Sequence, residues 1–270
     1  MQSKDFETLS YQSGNWERTL VNVIGEAAVS LTVNNHPWLT FMCTPNQLEA
    51  LAIGFLYNEG IIETLDEVAS VRVCPTEDNI DVWLNRSVKK PVNWTRTSGC
   101  SGGKTSVGGM NGGKVEARSK NGVLLPVKKI GNLIKQLSVA QELYRKSGGV
   151  HTSVLSDGEK FVIIAEDIGR HNTLDKLQGR CLLEGFHMAK KIILTTGRIS
   201  SEMIQKAGRM GAMMVISRTS PTTLSVEMSN RIGITLIGYA RPEQFTIYAH
   251  PERILSISIG AKSSMRQHDE

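Results

Sequence analysis

Cysteine is scarce in this 270-residue chain, and the four present, Cys43, Cys74, Cys100 and Cys181, are too far apart to form a zinc-finger pair. The two patterns that a zinc deaminase needs, H-x-E and P-C-x-x-C, are not found together. No zinc site is expected, and the thiols are expected to be reduced, as in a cytoplasmic protein. No apolar run approaches a membrane span. The first ten residues, MQSKDFETLS, lack the apolar core of a signal peptide. Aromatics make up only 6% of the chain. In the basic stretch 86–120 Trp94 is the only one, whereas single-stranded nucleic acid is held on several stacking platforms. Neither a membrane nor nucleic acid is an expected partner.

What remains is an ordinary globular composition, 40% hydrophobic and 21% charged, long enough for one large domain or two modest ones. The net charge of +5 matters less than where the charge sits. Residues 86–120 hold Arg86, Lys89, Lys90, Arg96, Lys104, Lys114, Arg118 and Lys120, opposed only by Glu116. The same stretch contains the glycine-rich run SGCSGGK at residues 98–104. Glycines let backbone N–H groups approach a ligand and the cations supply charge, a combination that suits phosphate; a solvated loop is the plainer reading. Residues 98–105 nearly match a nucleotide-binding P-loop, but Ser98 stands where its first glycine belongs and no buried strand precedes it. Cys100 sits inside this run, open to partners and close in sequence to Arg96 and Lys104, which favour a thiolate.

Hydrophobic spacing predicts the elements. Residues 28–33 and 38–42 alternate around an Asn34-Asn35 turn and read as a hairpin. Thr44-Pro45-Asn46-Gln47 reads as a helix start, with Thr44 as N-cap and Gln47 closing a capping box. Leu48, Leu51, Ala52, Phe55 and Leu56 form the helix face, and Gly60 ends it. Strands follow near 71–73 and 80–83, then an amphipathic helix marked by Ile130, Leu133, Ile134 and Leu137. From about residue 150 strands and helices alternate, with a helix near 173–184 and another started by Ser220-Pro221, which predicts a layered α/β domain with a largely parallel sheet.

The polar stretch EDIGRHN, residues 166–172, falls between a strand and a helix, where α/β proteins place their sites. It reads either as a site or as a helix start with Asn172 or Thr173 as N-cap and exposed acids. His151 and His250 occupy similar strand-edge positions, and Cys43, Cys74 and Cys181 read as core residues.

Several stretches together resemble one family, the formate dehydrogenase accessory sulfurtransferases of the FdhD/NarQ type. They are residues 33–38, 42–62 (MCTPNQLEALAIGFLYNEGII), 96–104, 148–151, 166–176 (EDIGRHNTLDK), 195–207 (TTGRISSEMIQKA), 219–241 and 245–254 (FTIYAHPERI), in order along nearly the whole chain. The resemblance implies a cytidine deaminase-like α/β/α domain without zinc, over residues 124–270, preceded by a smaller α+β domain over residues 1–123. It implies a sulfur carrier that takes sulfane sulfur from a cysteine desulfurase as a persulfide on Cys100. The sulfur then passes to the molybdenum or tungsten centre of the bis(molybdopterin guanine dinucleotide) cofactor, which formate dehydrogenase requires. It also implies a homodimer and a cofactor segment formed by Phe245, Thr246, Ile247, Tyr248, Ala249 and His250. Arg96, Lys104, Arg170 and His171 are further candidate phosphate or cofactor contacts. The chain departs from the family's usual C-x-x-C: the position three after Cys100 is Gly103. That leaves open a non-catalytic cofactor chaperone, and more remotely a thiol hydrolase pairing Cys100 with His151 or His171.

Overall fold

A computed structural model describes residues 2–91, 94–96, 104–106, 124–186 and 190–255. It opens with a two-stranded hairpin, β1 (Ser3–Gln12) and β2 (Asn15–Ile24), turned at Ser13 and Gly14, both at positive φ. The hairpin forms a sheet of its own. Next come β3 (Ala27–Val33), β4 (His36–Cys43), helix α1 (Leu48–Asn58), β5 (Val68–Val73) and β6 (Asn79–Leu84). Their sheet has the order β4-β3-β6-β5, parallel only between β3 and β6. Asn34 and Asn35 have φ of 48° and 64°, the left-handed pair that lets a two-residue turn follow the strand twist. Val29, Leu31, Val33, Ile80 and Val82 meet Leu51, Phe55 and Leu56 of α1 in one core.

The start of α1 corrects the expected cap. The helix begins at Leu48, and Gln47, at φ 50°, precedes it with no side-chain cap. Thr44 instead reaches the other half of the molecule: its N–H donates to Asp167 Oδ2 at 3.1 Å and its Oγ1 accepts from Ile168 N–H at 3.2 Å. A tertiary partner has taken the groups that a cap would have used. At the far end Gly60, at φ 74°, follows the helix as expected.

A short ladder, β7 (Trp94–Arg96) with β8 (Lys104–Ser106), pairs Arg96 with Lys104 across the strands. The second unit then runs β9 (Leu125–Pro126), α2 (Val127–Ala140), α3 (Glu142–Ser147), β10 (His151–Ser156), β11 (Phe161–Asp167), α4 (Arg170–Leu183), β12 (Ile192–Thr195), α5 (Ser201–Arg209), β13 (Met214–Ser217), α6 (Thr223–Ile232), β14 (Thr235–Arg241), β15 (Gln244–Ala249) and β16 (Ile254–Leu255). Its six-stranded sheet has the order β11-β10-β12-β13-β14-β15. The expectation of a largely parallel sheet fails here: only β12-β13-β14 are parallel, and the other three pairings are antiparallel. Short hairpin connections at both ends of the chain order add antiparallel strands that helix–strand alternation in the middle does not reveal.

Alternating side chains serve two cores. Leu155, Ile193, Val215 and Leu236 face α4, α5 and α6, while Val154, Ile192, Leu194, Ile216 and Ile237 face Ile130, Leu133, Ile134 and Leu137 of α2. The result is the expected α/β/α layering. Helix α5 is capped by Ser200, which accepts from Met203 N–H at 3.4 Å. Helix α6 is capped by Thr222, not Ser220, and Gly233 at φ 75° ends it.

The two units meet along α1 and α4. A Cβ at Gly54 would lie 1.8 Å from Asp175 O, and one at Gly179 would lie 1.8 Å from Ala50 O. Glycine is required at both positions because backbone packs directly on backbone. Asn58 Nδ2 donates to Asp175 Oδ1 at 2.7 Å across the same seam.

Candidate functional site

The strand registers bring the chemistry-bearing residues to one edge of the large sheet. His151 pairs with Asp167, Ser153 with Thr195, Thr195 with Ser217, and Arg241 with Gln244. The parallel strands end at this edge, and α4, α5 and α6 begin from it. Helix N-termini carry partial positive charge, so the edge favours anions before any side chain is counted.

A cleft of about 510 Å³ opens here, within the size range of small-molecule sites. Gly148, Gly149 and His151 form one wall, Thr196 and Thr219 lie at the strand ends, and Arg218 and Arg241 supply positive charge. The arginines are held in place: Arg218 Nη1 donates to Gln141 Oε1 at 3.1 Å, and Arg241 Nη1 donates to Arg218 O at 2.8 Å. Gly197 allows the loop to close over Arg170 and His151, since a Cβ there would lie 2.9 Å from Arg170 Cβ and 3.5 Å from His151 Nδ1. Burial, and then the Arg170 charge, lower the pKa of His151.

The stretch 166–172 is not the helix start with exposed acids that is one reading of its sequence. Its acids are buried, and they tie the structure together. Glu166 accepts from Leu143 N–H at 2.7 Å and from Thr152 Oγ1–H at 3.0 Å. Asp167 accepts from Gly169 N–H at 2.7 Å, Asn172 Nδ2 at 2.9 Å and Lys176 Nζ at 2.6 Å. The helix starts at Arg170 with Gly169 as its cap, so Asn172 and Thr173 lie inside it.

Arg170 and His171 follow one another at the start of α4. His171 lines a second, smaller cavity of about 20 Å³ with Asn172, Asp175, Glu202 and Lys206, large enough for roughly one water. Its Nε2 lies 3.1 Å from Glu202 Oε2 and 3.3 Å from Ser200 Oγ. One ring nitrogen faces both groups, so this serine, histidine and carboxylate are not arranged as a nucleophile relay. Burial, reinforced by the charges of Lys206, Arg170 and His151, pushes the His171 ring down to about 2, and burial lifts Glu202 to about 7. Burial alone would lower the pKa of Lys206, but the carboxylates of Asp175, Glu59 and Glu202 outweigh it and keep the amine charged.

Residues 245–249 lie in the outer strand β15, His250 follows it, and the six residues disperse. Phe245 and Ile247 pack toward α2, and Tyr248 packs toward α6. Thr246 is exposed and Ala249 is buried. His250 lies at the opposite edge of the sheet, with Nδ1 2.7 Å from Glu252 Oε1 and Nε2 3.2 Å from Asn230 O. His250-Pro251-Glu252 is an H-x-E sequence, but both ring nitrogens are engaged within the protein, and no group of three or more potential metal ligands occurs among the described residues. Arg96 and Lys104 are register partners on the β7–β8 ladder. Cys100 lies outside the described residues.

Sequence reasoning missed Arg218, Arg241 and Tyr239. Tyr239 sits at φ 51° in a bulge of β14, half exposed and close enough to Tyr248 to raise that phenol's pKa after burial. A bulge re-aims a side chain, and a tyrosine at positive φ is strained. No spacing rule marks any of the three, although all lie in the stretch 219–241 or beside it. Of the core cysteines, Cys43 and Cys181 are buried as expected. Cys74 is a correction: it lies in the β5–β6 turn, its Sγ 2.8 Å from Asp78 Oδ1 and accepting from Asn79 N–H at 3.2 Å.

The sequence profile of the FdhD/NarQ family matches residues 24–255. The chain belongs to this family. Family proteins named sulfur carrier protein FdhD, from Staphylococcus aureus strains MRSA252 and Newman, are 35% and 34% identical to it over 248 residues, covering 91% of this chain and 94% of each relative. The crystal structure of a formate dehydrogenase accessory protein from Desulfotalea psychrophila superposes with a TM-score of 0.80 at 27% identity, covering 94% of this chain and all of that one. This FdhD/NarQ chain has no helix among its described residues long and apolar enough to cross a membrane.

Proposed function

We propose that this protein is a sulfur carrier, with Cys100 taking sulfane sulfur from a cysteine desulfurase and delivering it to the metal of bis(molybdopterin guanine dinucleotide), the substrate, for use by formate dehydrogenase. The observation that carries this reading is the end-to-end match to proteins named sulfur carriers, over 94% of their length. In the loading step the Cys100 thiolate attacks the outer sulfur of the donor persulfide. A new S–S bond forms on Cys100, the donor's S–S bond breaks, and the donor leaves as its thiolate. The two buried thiols support the assignment. Burial, and then the nearby Asp167 charge, push Cys43 up to about 12, and burial raises Cys181, so neither is poised to attack.

The cleft suits the nucleotide part of such a substrate. Two tethered guanidiniums suit its phosphates, helix N-termini face the same edge, and Tyr239 with Tyr248 offers aromatic surface for guanine nearby. Two arms of equal chemistry would occupy two clefts of a homodimer. His171, buried beside the smaller cavity, is not part of this reading.

The test is intact-mass analysis after incubation with a cysteine desulfurase and cysteine. The expected result is a gain of one sulfur atom, removed by reductant and absent in Cys100→Ala. Loading of the Cys100→Ala protein on another thiol would refute the assignment. Gly103, standing where the family usually has a second cysteine, favours the alternative of a cofactor chaperone without sulfur chemistry. Full formate dehydrogenase activity supported by Cys100→Ala would select that alternative.

A further inference from the structure

A groove of about 550 Å³ lies between α2 and the β14–β15 turn, and it shares no lining residue with the arginine cleft. Pro126, Val127, Lys128, Asn132 and Lys135 line one side, and Pro242 with Glu243 the other. Its base is fixed where α2 touches the turn: a Cβ at Gly131 would lie 2.2 Å from Pro242 O. The short ladder of β9 and β16 leads to this groove. Leu255 is the register partner of Pro126, a residue of the groove wall, and the two strands are parallel. The chain therefore leaves Leu255 in the direction in which Pro126 enters α2. Leu124, Val127 and Leu255 are all exposed, so apolar surface surrounds the point of exit. The ladder is only two residues long on each strand, well short of an ordinary strand. The residues that follow are SISIGA, 256–261, without a charge among them. Along an extended chain alternate residues share a face, which puts Ile257 and Ile259 in phase with Leu255.

We infer that residues 256–260 of this same chain occupy the groove. Three features select this occupant. The first is reach. Lys128 to Lys135 spans about 10 Å along the helix, at about 1.5 Å per residue, and three or four extended residues cover that at about 3.3 Å each. Ile257 and Ile259 are therefore the side chains that can be set between Val127 and Pro242. The second is chemistry. The apolar groups of the lining are Pro126, Val127 and Pro242, whereas its charges are of both signs, Lys128 and Lys135 against Glu243. An uncharged segment with two isoleucines suits that lining better than an acidic or a basic peptide does. The third is tethering. A segment joined to the edge of the groove by one or two residues is present there at an effective concentration in the millimolar range, which a separate partner has to exceed. Occupancy covers Val127 and Leu255 and braces β9, the element that follows the Cys100 stretch in the chain. The family match ends at residue 255, so the contact lies outside the shared segment. It goes beyond the sulfur-carrier reading and does not depend on it.

The test is hydrogen–deuterium exchange, read by mass spectrometry on the full chain. In the wild type, residues 256–260 are expected to exchange about tenfold more slowly than a free peptide of the same sequence. Ile257→Asp with Ile259→Asp is expected to raise exchange about fivefold in the first turn of α2 and in residues 242–245. Ser263→Asp with Ser264→Asp, beyond the reach of the groove, is expected to change neither. Val127→Asp alters the groove instead of the tail, and an acid in the first turn of a helix is favourable, so the fold should hold while residues 256–260 lose their protection. Circular dichroism checks that each variant is folded. Exchange of residues 256–260 at the free-peptide rate in the wild type overturns the inference. Protection that survives Val127→Asp, with a groove indifferent to the isoleucine variant, places the segment elsewhere and overturns it equally. Protection that falls on dilution from about 100 μM to about 1 μM assigns the groove to the tail of a second copy and overturns the contact within one chain. Sulfur loading on Cys100 is read separately by intact mass and stands or falls independently of these results.

Discussion

Glu202 offers the most quantitative test of the buried polar cluster between the two units. Its carboxyl faces His171 on α4, and the charges of Lys206, Glu59, Asp175 and Arg170 bear on it from α5, the end of α1 and α4. Burial is the largest influence and raises its pKa to about 7. A glutamate in the unfolded chain titrates near 4.3, so the folded protein holds this proton more tightly. The contribution to stability is fully present below pH 4.3 and is lost as pH rises through 7. At about 1.4 kcal/mol per pH unit, wild type loses on the order of 2–3 kcal/mol relative to Glu202→Gln between pH 5 and pH 8. His171 acts in the opposite sense: its depressed pKa makes the fold gain stability as pH rises from about 2 toward 6.5. The two effects partly cancel near pH 5–6 in the wild type, so the difference between the variant and wild type is the informative quantity. Urea unfolding of both proteins at pH 5, 6, 7 and 8 gives that difference directly. Glu202→Gln should be the more stable protein at pH 8, by a margin that shrinks toward pH 5. A margin that does not change with pH would show that Glu202 titrates normally and that this account of the cluster is wrong.

Gly179→Ala should lower stability by about 3 kcal/mol or more, since its methyl meets Ala50 O at 1.8 Å and the α1–α4 seam must open; a thermal midpoint within two or three degrees of wild type would contradict this. Asp167→Asn leaves the fully buried Lys176 without its carboxylate partner at 2.6 Å and should cost about 3–5 kcal/mol in denaturant unfolding; a loss below about 1 kcal/mol would mean that the carbonyl partners of Lys176 suffice. Arg218→Ala and Arg241→Ala should each weaken binding of guanosine diphosphate, used as a probe of the nucleotide arm, about tenfold by titration calorimetry; unchanged affinity in both would remove the cleft from the cofactor reading.

Local patterns were the legible part of this protein. The Asn34-Asn35 turn, the amphipathic face of α2, the glycines that end α1 and α6, and the layered α/β class all follow from spacing and from residues that only certain backbone angles admit. The glycine-rich run around Cys100 and the family likeness are likewise linear properties of the chain. The tertiary structure alone decided what the polar residues do. Thr44 and Asp167 read locally as a cap and as a candidate acid, yet they bond to one another across the seam between the units, and Glu166 is buried against Leu143 and Thr152 of its own unit. Arg218 and Arg241, unmarked in the sequence, reach one cleft because parallel strands end at a common edge. Sequence fixes which angles and faces a segment can adopt, whereas a site depends on which distant segments share an edge, and that is set only when the sheet pairs.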